Sequence, residues 1–246
     1  MKNYCIDINA DVGEGLNNEL ELMPFLSSCN IACGGHAGNI STMTNVVRLA
    51  KRYNIKVGAH PSFPDKVNFG RIVMDITAAD LYSSLKAQIR ALQNVLYAER
   101  VQLHHIKPHG ALYNLAAKNQ KTAEVIIEVI KSTTLPITLY APYQSVVAEL
   151  ALKEHINVIY EAFADRNYNN DLSLVSRKNG KAILNDKDKV LMHVLGMIKE
   201  EKVTSIDGVE VGIKASTFCV HGDTKNALQI LKYLNQKLPQ NGISIQ

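Results

Sequence analysis

The chain has 246 residues, of which 46% are hydrophobic and 20% are charged, and its formal net charge is +4. This composition excludes collagen-like, disulfide-stapled and intrinsically disordered proteins, and the slight, evenly spread charge favours neither nucleic acid nor a membrane as a partner. The length allows a sizeable core and no shift in composition marks a boundary, so we predict a single domain over residues 1–246.

No targeting or membrane-spanning segment is predicted. The longest stretch without acidic or basic side chains, 22–47, is rich in Asn, Ser, Gly and His, and Lys2 is followed closely by Asp7, which argues against a signal peptide. We therefore expect the four cysteines to be reduced thiols of a cytoplasmic protein.

Short apolar runs typical of buried parallel strands recur along the chain, each followed by a polar loop and a helical pattern. The seven predicted strands are Tyr4–Ile8, Cys29–Cys33, Ile55–Ala59, Val101–Ile106, Pro136–Tyr140, Asn157–Ala162 and Ala215–Val220. Ser41 is the predicted cap of the first long helix, and Thr77 with Asp80 forms a capping box for the next. The later predicted helices are Lys121–Ser132, Tyr143–Glu154, Asn185–Glu200 and Thr224–Leu234.

Two dipeptides, Asn179-Gly180 and Asp207-Gly208, predict small hairpins that decorate one rim of the core. The strand–helix alternation itself indicates a parallel sheet, either open and doubly wound or closed into a barrel. Polar, reactive side chains follow six of the seven predicted strands. An open sheet does not need polar side chains after so many strands, whereas a closed barrel brings all of these side chains to one mouth. We therefore predict an α/β protein with a TIM-like (β/α) barrel.

The first strand ends in alternating polar residues, since Asp7, Asn9 and Asp11 can share one face of an extended segment. Three of them together favour a functional role over a turn or a helix cap. The glycines of 34–38 around His36 are consistent with two interpretations: backbone that approaches a ligand closely, or a tight turn between strand and helix. Neither the P-loop nor the dinucleotide-binding spacing is present.

Three histidines, His36, His60 and His109, each follow a predicted strand within four residues. With an oxygen from Asp11 they form a candidate site for a divalent ion that activates water. Acid–base chemistry or hydrogen bonding to a substrate is the alternative, because no H-x-x-H or H-E-x-x-H pair fixes a ligand geometry.

Lys107, in the segment Lys107-Pro-His109, is predicted to lie at the barrel mouth rather than on the outer helices. There it serves as a general base or binds an anion. Arg71 and Arg166 offer planar groups that bind carboxylates, and Asp165 adds a carboxylate beside them.

The candidate site residues lie in seven motifs that are spread across nearly the whole chain. They are Asp7-Ile-Asn-Ala-Asp-Val-Gly-Glu-Gly15, Asn30-Ile-Ala-Cys-Gly-Gly-His-Ala-Gly38, Gly58-Ala-His-Pro61, Phe69-Gly-Arg71, Lys107-Pro-His-Gly-Ala-Leu-Tyr-Asn114, Glu161-Ala-Phe-Ala-Asp-Arg166 and Cys219-Val-His-Gly-Asp223. In these motifs, and in their order, the chain resembles the LamB/YcsF family.

The resemblance implies a seven-stranded (β/α) barrel of the glycoside hydrolase/deacetylase type. It also implies an ATP-dependent 5-oxoprolinase activity, in which a cyclic amide, 5-oxo-L-proline, is opened to L-glutamate while ATP becomes ADP and phosphate. Partner subunits B and C are expected to take part. Since no Walker motif is present, we expect the nucleotide to be bound largely by another subunit, or at this mouth through residues 34–38.

On this interpretation the expected catalytic residues are Asp11, Glu14, Lys107, His109 and Asp165. The expected substrate-binding residues are Asn9, Arg71, Asn114, Arg166, His221 and Asp223. If a divalent ion is bound, its expected ligands are His36 and His60, with Asp11 and His109.

Two alternatives stay open at this point. In one, the chain is a self-sufficient, metal-dependent hydrolase or deacetylase of an N-acyl or carbohydrate substrate, whose ion is held by Asp11 and two of the three histidines. In the other, it is a non-catalytic subunit that presents 5-oxoproline to its partners.

Overall fold

Parallel strands that close into a barrel form the centre of the molecule in the computed structural model, which describes residues 4–133 and 136–246. The strands in chain order are β1 (Tyr4–Val12), β2 (Ser28–Ala32), β3 (Lys56–His60), β4 (Leu103–Ile106), β5 (Thr138–Pro142), β6 (Val158–Phe163), β7 (Lys202–Thr204), β8 (Glu210–Gly212), β9 (Thr217–Cys219) and β10 (Ile243–Ile245).

Helices surround the barrel. They are α1 (Glu19–Leu22), α2 (Ile40–Arg52), α3 (Ala78–Glu99), α4 (Gly110–Ala116), α5 (Gln120–Lys131), α6 (Val146–Lys153), α7 (Lys187–Leu195) and α8 (Ala227–Gln240). A 3₁₀ turn follows α1, and a π-helical segment, Gly196–Glu200, follows α7. Among the described helices, we find none with both the length and the apolar character needed to cross a membrane.

The barrel is closed because β1 pairs in parallel with both β2 and β9. The ring runs β1-β2-β3-β4-β5-β6-β9, and β10 lies outside it, paired with the start of β1. The predicted seven-stranded TIM-like barrel is therefore confirmed, and the open sheet is excluded. All seven predicted strands coincide with a barrel strand, whereas the short β10 was not predicted.

The first strand is longer than predicted and carries polar residues into the barrel. It continues to Val12, so Asn9 and Asp11 lie within the strand rather than after it. Asp7, Asn9 and Asp11 are all buried, although they are polar. Because neighbouring residues of a strand point to opposite faces, the alternating Ile and Ala side chains face the helices while this polar set faces the barrel axis.

Hydrogen bonds satisfy much of this polar interior. Asn30 donates to the side-chain oxygens of Asn9 and Asp11, at 2.8 Å each, and its own oxygen lies 2.7 Å from His105 Nε2. Asn9 in turn donates to Thr217 Oγ1 at 2.7 Å. The connected network fixes the orientation of the side chains beneath the barrel mouth.

A glycine in β3 leaves the space that His105 occupies in this interior. A Cβ atom on Gly58 would lie 2.1 Å from His105 Nε2, and the fully buried His105 ring is held by stacking on Tyr140, with centroids 3.8 Å apart. We expect Gly58→Ala to lower the free energy of unfolding by about 1–3 kcal/mol, the usual cost of overpacking. Denaturant unfolding measures this.

The matched control is Gly180→Ala, because a Cβ atom on Gly180 meets nothing within 4 Å. Its stability is expected to equal that of the wild type. Equal stability of the Gly58→Ala variant would contradict the packing argument.

Most helix starts follow local capping chemistry. Thr77 accepts a hydrogen bond from the backbone N–H of Asp80, as the capping box predicts. The prediction for α2 was wrong by two residues, since Asn39, rather than Ser41, accepts from the N–H of Thr42. Helix α4 was not predicted, because it is short and begins inside a loop motif.

The structure contains one of the two predicted hairpins and not the other. The segments around Asp207-Gly208 pair as the antiparallel strands β7 and β8, so this hairpin is confirmed. The hairpin at Asn179-Gly180 is wrong, because isolated bridges instead join Arg166 to Ile183 and Tyr168 to Leu174. The segment 166–184 therefore folds back along the strand exit of β6 and forms part of the barrel rim.

Candidate active site

The carboxyl ends of the barrel strands open into a cavity of about 550 Å³, here called the mouth cavity. The predicted site residues in its lining are Asp11, Glu14, His60, Arg71, Lys107, His109, Asn114, Arg166, His221 and Asp223. Side chains from the start of the chain to beyond residue 220 thus reach one cavity. Three other predicted residues, Asn9, His36 and Asp165, are buried behind its surface.

A histidine–glutamate cluster, formed by Glu14, His36, His60 and His109, lies on one side of the mouth cavity. One side-chain nitrogen or oxygen from each of the four residues lies within 4.8 Å of the others. Glu14 Oε1 lies 3.0 Å from His36 Nε2, 3.8 Å from His60 Nε2 and 3.4 Å from His109 Nδ1. Four ligands in a tetrahedron with bonds of 2.0–2.1 Å stand about 3.3 Å apart, so the cluster matches the size of a zinc-like site.

Two backbone carbonyls determine which ring nitrogen carries the proton in His60 and in His109. His60 Nδ1 donates to the carbonyl of Lys107 at 2.7 Å, and His109 Nε2 donates to the carbonyl of Phe69 at 3.0 Å. In the neutral rings, the lone pairs of His60 Nε2 and His109 Nδ1 then face each other at 2.9 Å. Lone pairs that face each other at this distance repel, so a cation or a proton between the two nitrogens stabilises this arrangement.

Burial disfavours a proton, as opposed to a metal cation, between His60 Nε2 and His109 Nδ1. Burial first, and then the neighbouring His60 and His36, hold the pKa of His109 well below its usual value. Burial likewise lowers the pKa of His36. Three neutral imidazoles and a carboxylate oxygen are the donor set that divalent transition metals prefer, so the cluster is compatible with a divalent ion.

The carboxylate that completes the group of three histidines is Glu14, which was not among the expected ligands. Asp11 Oδ2, the expected carboxylate, lies 3.4 Å from His60 Nε2. Gly13 adopts φ +74° and its N–H donates to Glu19 Oε1, which turns the chain after β1 and directs Glu14 toward His36. Asp11 belongs to a neighbouring group with Cys219 and His221.

The glycines around His36 pack against protein rather than line the mouth cavity. A Cβ atom on Gly38 would lie 2.5 Å from the carbonyl oxygen of Ala32, and one on Gly35 would lie 2.3 Å from Gln88 Oε1. Of the two interpretations of this segment, the tight turn is therefore the one that the structure supports. Its function is to place His36 parallel to His109, with ring centroids 3.7 Å apart.

Lys107 lies at the floor of the mouth cavity between two carboxylates. Its Nζ is 3.0 Å from Asp11 Oδ1 and 2.8 Å from Glu161 Oε1, and the side chain is only 2% exposed. Burial alone would lower the pKa of Lys107, but the charges of Asp11 and Glu161 outweigh it and hold this pKa well above the usual value. Lys107 is thus a buried ammonium group and not a free base at neutral pH.

The position of Lys107 follows from the strand exit. The Lys107 N–H donates to the carbonyl of Ala59, and the His109 N–H donates to that of Pro61, so the chain continues alongside the end of β3. Asp11 is ionised in this setting: burial would raise its pKa, but His60 and Lys107 hold it well below the usual value.

Asp165 supports His221 from behind instead of facing the mouth cavity. The carboxylate is fully buried, and its oxygens accept from the ring Nδ1 and the backbone N–H of His221, at 2.9 and 3.0 Å. Burial would raise the pKa of Asp165, whereas its contacts with His221 and Thr224 lower it. The ionised carboxylate therefore holds the Nδ1–H tautomer of His221 and leaves a lone pair on Nε2.

Two arginines meet one carboxylate at the rim. Asp223 Oδ2 accepts from Arg71 at 3.0 Å and from Arg177 at 2.8 Å. Arg166, which also lines the mouth cavity, donates from its guanidinium to the carbonyls of Val175 and Ala182 and so fixes the rim segment. Arg71 and Arg177, whose side chains are 46% and 30% exposed, are thus the rim arginines that solvent reaches.

Known proteins resemble this chain over almost its whole length. The sequence profile of the LamB/YcsF family matches residues 6–246. The chain belongs to the LamB/YcsF family. The resemblance predicted from the seven motifs is confirmed.

Relatives of this LamB/YcsF chain carry informative names. Two proteins from Bacillus cereus, of strains AH187 and B4264, are each named as the A subunit of 5-oxoprolinase; they are 41% and 39% identical over 98% of this chain and 97% of their own. The crystal structure of the Lactam Utilization Protein from Thermus thermophilus superposes with a TM-score of 0.91 at 36% identity, covering 98% of both chains. A GH18 chitinase from Pseudoalteromonas aurantia, at 11% identity and a TM-score of 0.55, shares the fold alone.

Three polar residues of the LamB/YcsF site were not predicted: Glu161, Tyr113 and Arg177. Glu161 lies inside β6 and was detectable as a charged residue within an otherwise apolar strand, a position where a charge is buried only with a partner. Tyr113 carries no comparable signal, because a tyrosine in an apolar helix resembles core packing. Arg177 was hidden by the wrong hairpin at Asn179-Gly180.

Proposed function

We propose that this LamB/YcsF chain is the A subunit of an ATP-dependent 5-oxoprolinase, which works with subunits B and C in the cytoplasm and opens 5-oxo-L-proline to L-glutamate. The names of relatives about 40% identical over nearly the full length support the substrate and the idea of a multi-subunit enzyme. A mouth cavity of about 550 Å³ suits a small molecule.

The observation that carries the proposal is the ammonium group of Lys107 between Asp11 and Glu161 at the floor of the mouth cavity. A lactam is a poor electrophile, and its carbonyl oxygen gains negative charge when the ring is attacked or when that oxygen is phosphorylated. A buried, permanently charged ammonium group stabilises such charge without reorganisation. Lys107 therefore faces the lactam oxygen in our proposal.

The rim arginines provide the second anchor. The substrate has one carboxylate, and planar guanidinium groups bind carboxylates through paired hydrogen bonds. Arg71 and Arg177, held side by side by Asp223, lie in the lining of the same cavity as Lys107. This arrangement places the carboxylate of the substrate at the rim and its amide at the floor.

We expect Arg177→Gln to raise the KM for 5-oxoproline about tenfold and to leave kcat nearly unchanged, because the lost contact is present in both ground and transition state. Steady-state kinetics of the reconstituted enzyme measures both constants. Arg52→Gln, on an exposed arginine at the end of α2, is the matched control. An unchanged KM for Arg177→Gln would remove this residue from the substrate site.

The reaction that we propose has three stages. The γ-phosphoryl group of ATP is transferred to the lactam oxygen, which releases ADP and turns that oxygen into a leaving group. Water then adds to the activated carbon, and the ring C–N bond breaks as the nitrogen takes a proton, which leaves the new carboxyl group as an acyl phosphate. A second water hydrolyses this acyl phosphate to glutamate and phosphate. His221 is suited to accept the proton of the water, since Asp165 leaves a lone pair on its Nε2.

We also propose that the histidine–glutamate cluster holds a divalent ion. His60 Nε2, His109 Nδ1 and Glu14 Oε1 would ligate it, with His36 as the fourth ligand. Such an ion polarises a carbonyl or phosphoryl oxygen and lowers the pKa of water. The carbonyls of Lys107 and Phe69 hold the two facing histidines in the tautomers that ligation requires.

The deciding experiment mixes this chain with its candidate B and C subunits and measures glutamate release from 5-oxoproline with and without ATP. Release that needs all three subunits and ATP is expected, with one ADP formed per glutamate. Glutamate release by this chain alone, or release without ATP, would contradict the proposal.

A second function is favoured by one observation, the histidine–glutamate cluster itself. A bound ion and the Asp165–His221 pair suffice for a hydrolase or deacetylase of N-acyl or carbohydrate substrates that works without ATP. The isolated chain, loaded with zinc or manganese and offered acetylated amines and chitooligosaccharides, tests this alternative. Acetate release that stops on chelation would support it over the lactamase.

A further inference from the structure

One side of the mouth carries a surface of exposed apolar side chains. Ten large apolar side chains are exposed in the part of the chain that the structure describes, and six of them lie in the connections that follow β1, β2 and β3. These six, here called the apolar rim, are Leu16, Leu20, Ile40, Val67, Ile72 and Val73. Single apolar residues scattered over a surface are normal, whereas a concentration of them on neighbouring loops is typical of an interaction surface.

The apolar rim is continuous with the opening of the mouth cavity. Ile72 and Gly222 both line the cavity, and a Cβ atom on Gly222 would lie 3.4 Å from Leu16 Cδ1. Helix α1, which carries Leu20, contacts α2, which begins at Ile40. The connections after β1 and β3 thus meet at the opening, and the start of α2 extends the same surface outward.

The other side of the mouth has a different character. It is formed by the rim segment 166–184, which follows β6 across the ring from β2. The exposed residues of this segment are polar or charged, apart from one glycine. Lys178 of the segment lines the mouth cavity together with Arg71 and Arg177. A molecule that covers the opening therefore meets apolar surface on one side and cations in the cavity lining.

The proposed reaction indicates what covers the opening. It needs the γ-phosphoryl group of ATP at the lactam, but the sequence has no Walker motif, and Gly35 and Gly38 pack against protein instead of lining the cavity. The nucleotide is then held by a partner subunit and reaches the lactam through the mouth. Transfer to the lactam rather than to water requires that this opening be closed while the phosphoryl group moves.

We propose that the apolar rim is the docking surface for the partner subunit that carries the nucleotide. An apolar face of that subunit packs on the six side chains. The cations in the cavity lining, Arg71, Arg177 and Lys178, complement the negative charge of the triphosphate that it presents. The inference rests on the proposed ATP-dependent function, and it assigns the nucleotide to the partner and the contact to one side of this mouth.

The test measures the dissociation constant between this chain and its candidate partner subunits by sedimentation, without any catalytic step. The double variant Val67→Asp with Ile40→Asp changes two side chains that are 93% and 69% exposed and that lie outside the cavity lining. We expect its Kd to rise at least about tenfold, because an unpaired carboxylate is costly in an apolar interface. Leu152→Asp, on an exposed leucine of α6, is the matched control and is expected to stay within about twofold of wild type.

The same variants are assayed for ATP-dependent glutamate release. At saturating partner subunit, kcat of the double variant is expected to equal that of the wild type, because no group in the cavity lining is changed. A kcat that stays low at saturation would assign the apolar rim to the chemical step and overturn the inference. Leu20→Asp, on an exposed leucine of α1, is the second variant if the double variant does not fold.

Three further outcomes separate the inference from the proposed function. An unchanged Kd in the folded variants overturns the inference and leaves the proposed function intact. A wild-type chain that sediments as a dimer, with variants that sediment as monomers, assigns the apolar rim to a second copy of this chain and also overturns it. A wild-type mixture without ATP-dependent glutamate release overturns the proposed function, and the inference with it.

Discussion

Replacement of Lys107 by methionine is expected to lower kcat of the reconstituted enzyme by about 10²–10⁴-fold, the range for loss of a positioned proton-transfer or charge-stabilising group. Methionine keeps much of the length of the side chain but removes the ammonium group that lies 3.0 Å from Asp11 and 2.8 Å from Glu161. Because the charge is needed most when the lactam oxygen becomes negative, kcat is expected to fall more than the affinity for 5-oxoproline. Single-turnover kinetics measures the chemical step directly.

The same substitution leaves two buried carboxylates without their cation, so we expect a loss of stability of about 3–5 kcal/mol as well. The double variant Lys107→Met with Glu161→Gln removes one of these charges and is expected to recover part of the stability without activity. Lys153→Met, on an exposed lysine of α6, is the matched control. If the single variant binds 5-oxoproline poorly but turns it over at the normal single-turnover rate, the chain only presents the substrate.

The barrel was predictable because its causes are local. Seven apolar runs bounded by turn residues describe strands that are covered on the outside by helices, and polar side chains at their ends indicate a common mouth. The alternation of Asp7, Asn9 and Asp11 indicated that the three residues share one face of β1, and in the structure all three are buried. The same pattern did not show that β1 continues to Val12. Polar residues after an apolar run are easily taken for the loop that follows a strand.

The details of the site depend on contacts that sequence spacing does not encode. Asp11 and Glu14 are three residues apart, and only the turn at Gly13 decides that Glu14 meets the three histidines while Asp11 meets Lys107. Arg177 is similar, because its position depends on how the rim segment folds over β6 and not on any motif. Side chains supplied by irregular loops are therefore the part of the site that needed the structure.

The facing lone pairs of His60 and His109 connect the fold with the chemistry. Their tautomers are fixed by carbonyls of Lys107 and Phe69, which belong to the two strand-exit loops that also carry the side chains of Lys107 and Arg71 into the mouth cavity. The barrel thus maintains a preorganised repulsion that a cation relieves, and such preorganisation favours tight binding of that cation. The strength of the site should then depend on the one negative charge within it.

That charge belongs to Glu14. We expect Glu14→Gln to weaken the binding of a divalent ion by more than about 100-fold, beyond the ~10–100-fold effect of losing a supporting partner, because a ligand atom and its charge are both lost. The activity of the reconstituted enzyme is expected to fall in parallel and to be partly restored by excess ion. Elemental analysis of the purified chain and titration of the metal-free chain with zinc and manganese measure the binding without any reference to activity.

Glu21→Gln, on an exposed glutamate of α1 a few residues away, is the matched control and is expected to bind the ion as the wild type does. A wild-type chain that binds no ion in the titration would mean that a shared proton separates His60 from His109. The Glu14→Gln variant would then lose activity because that positive charge is no longer balanced, and excess ion would not restore it.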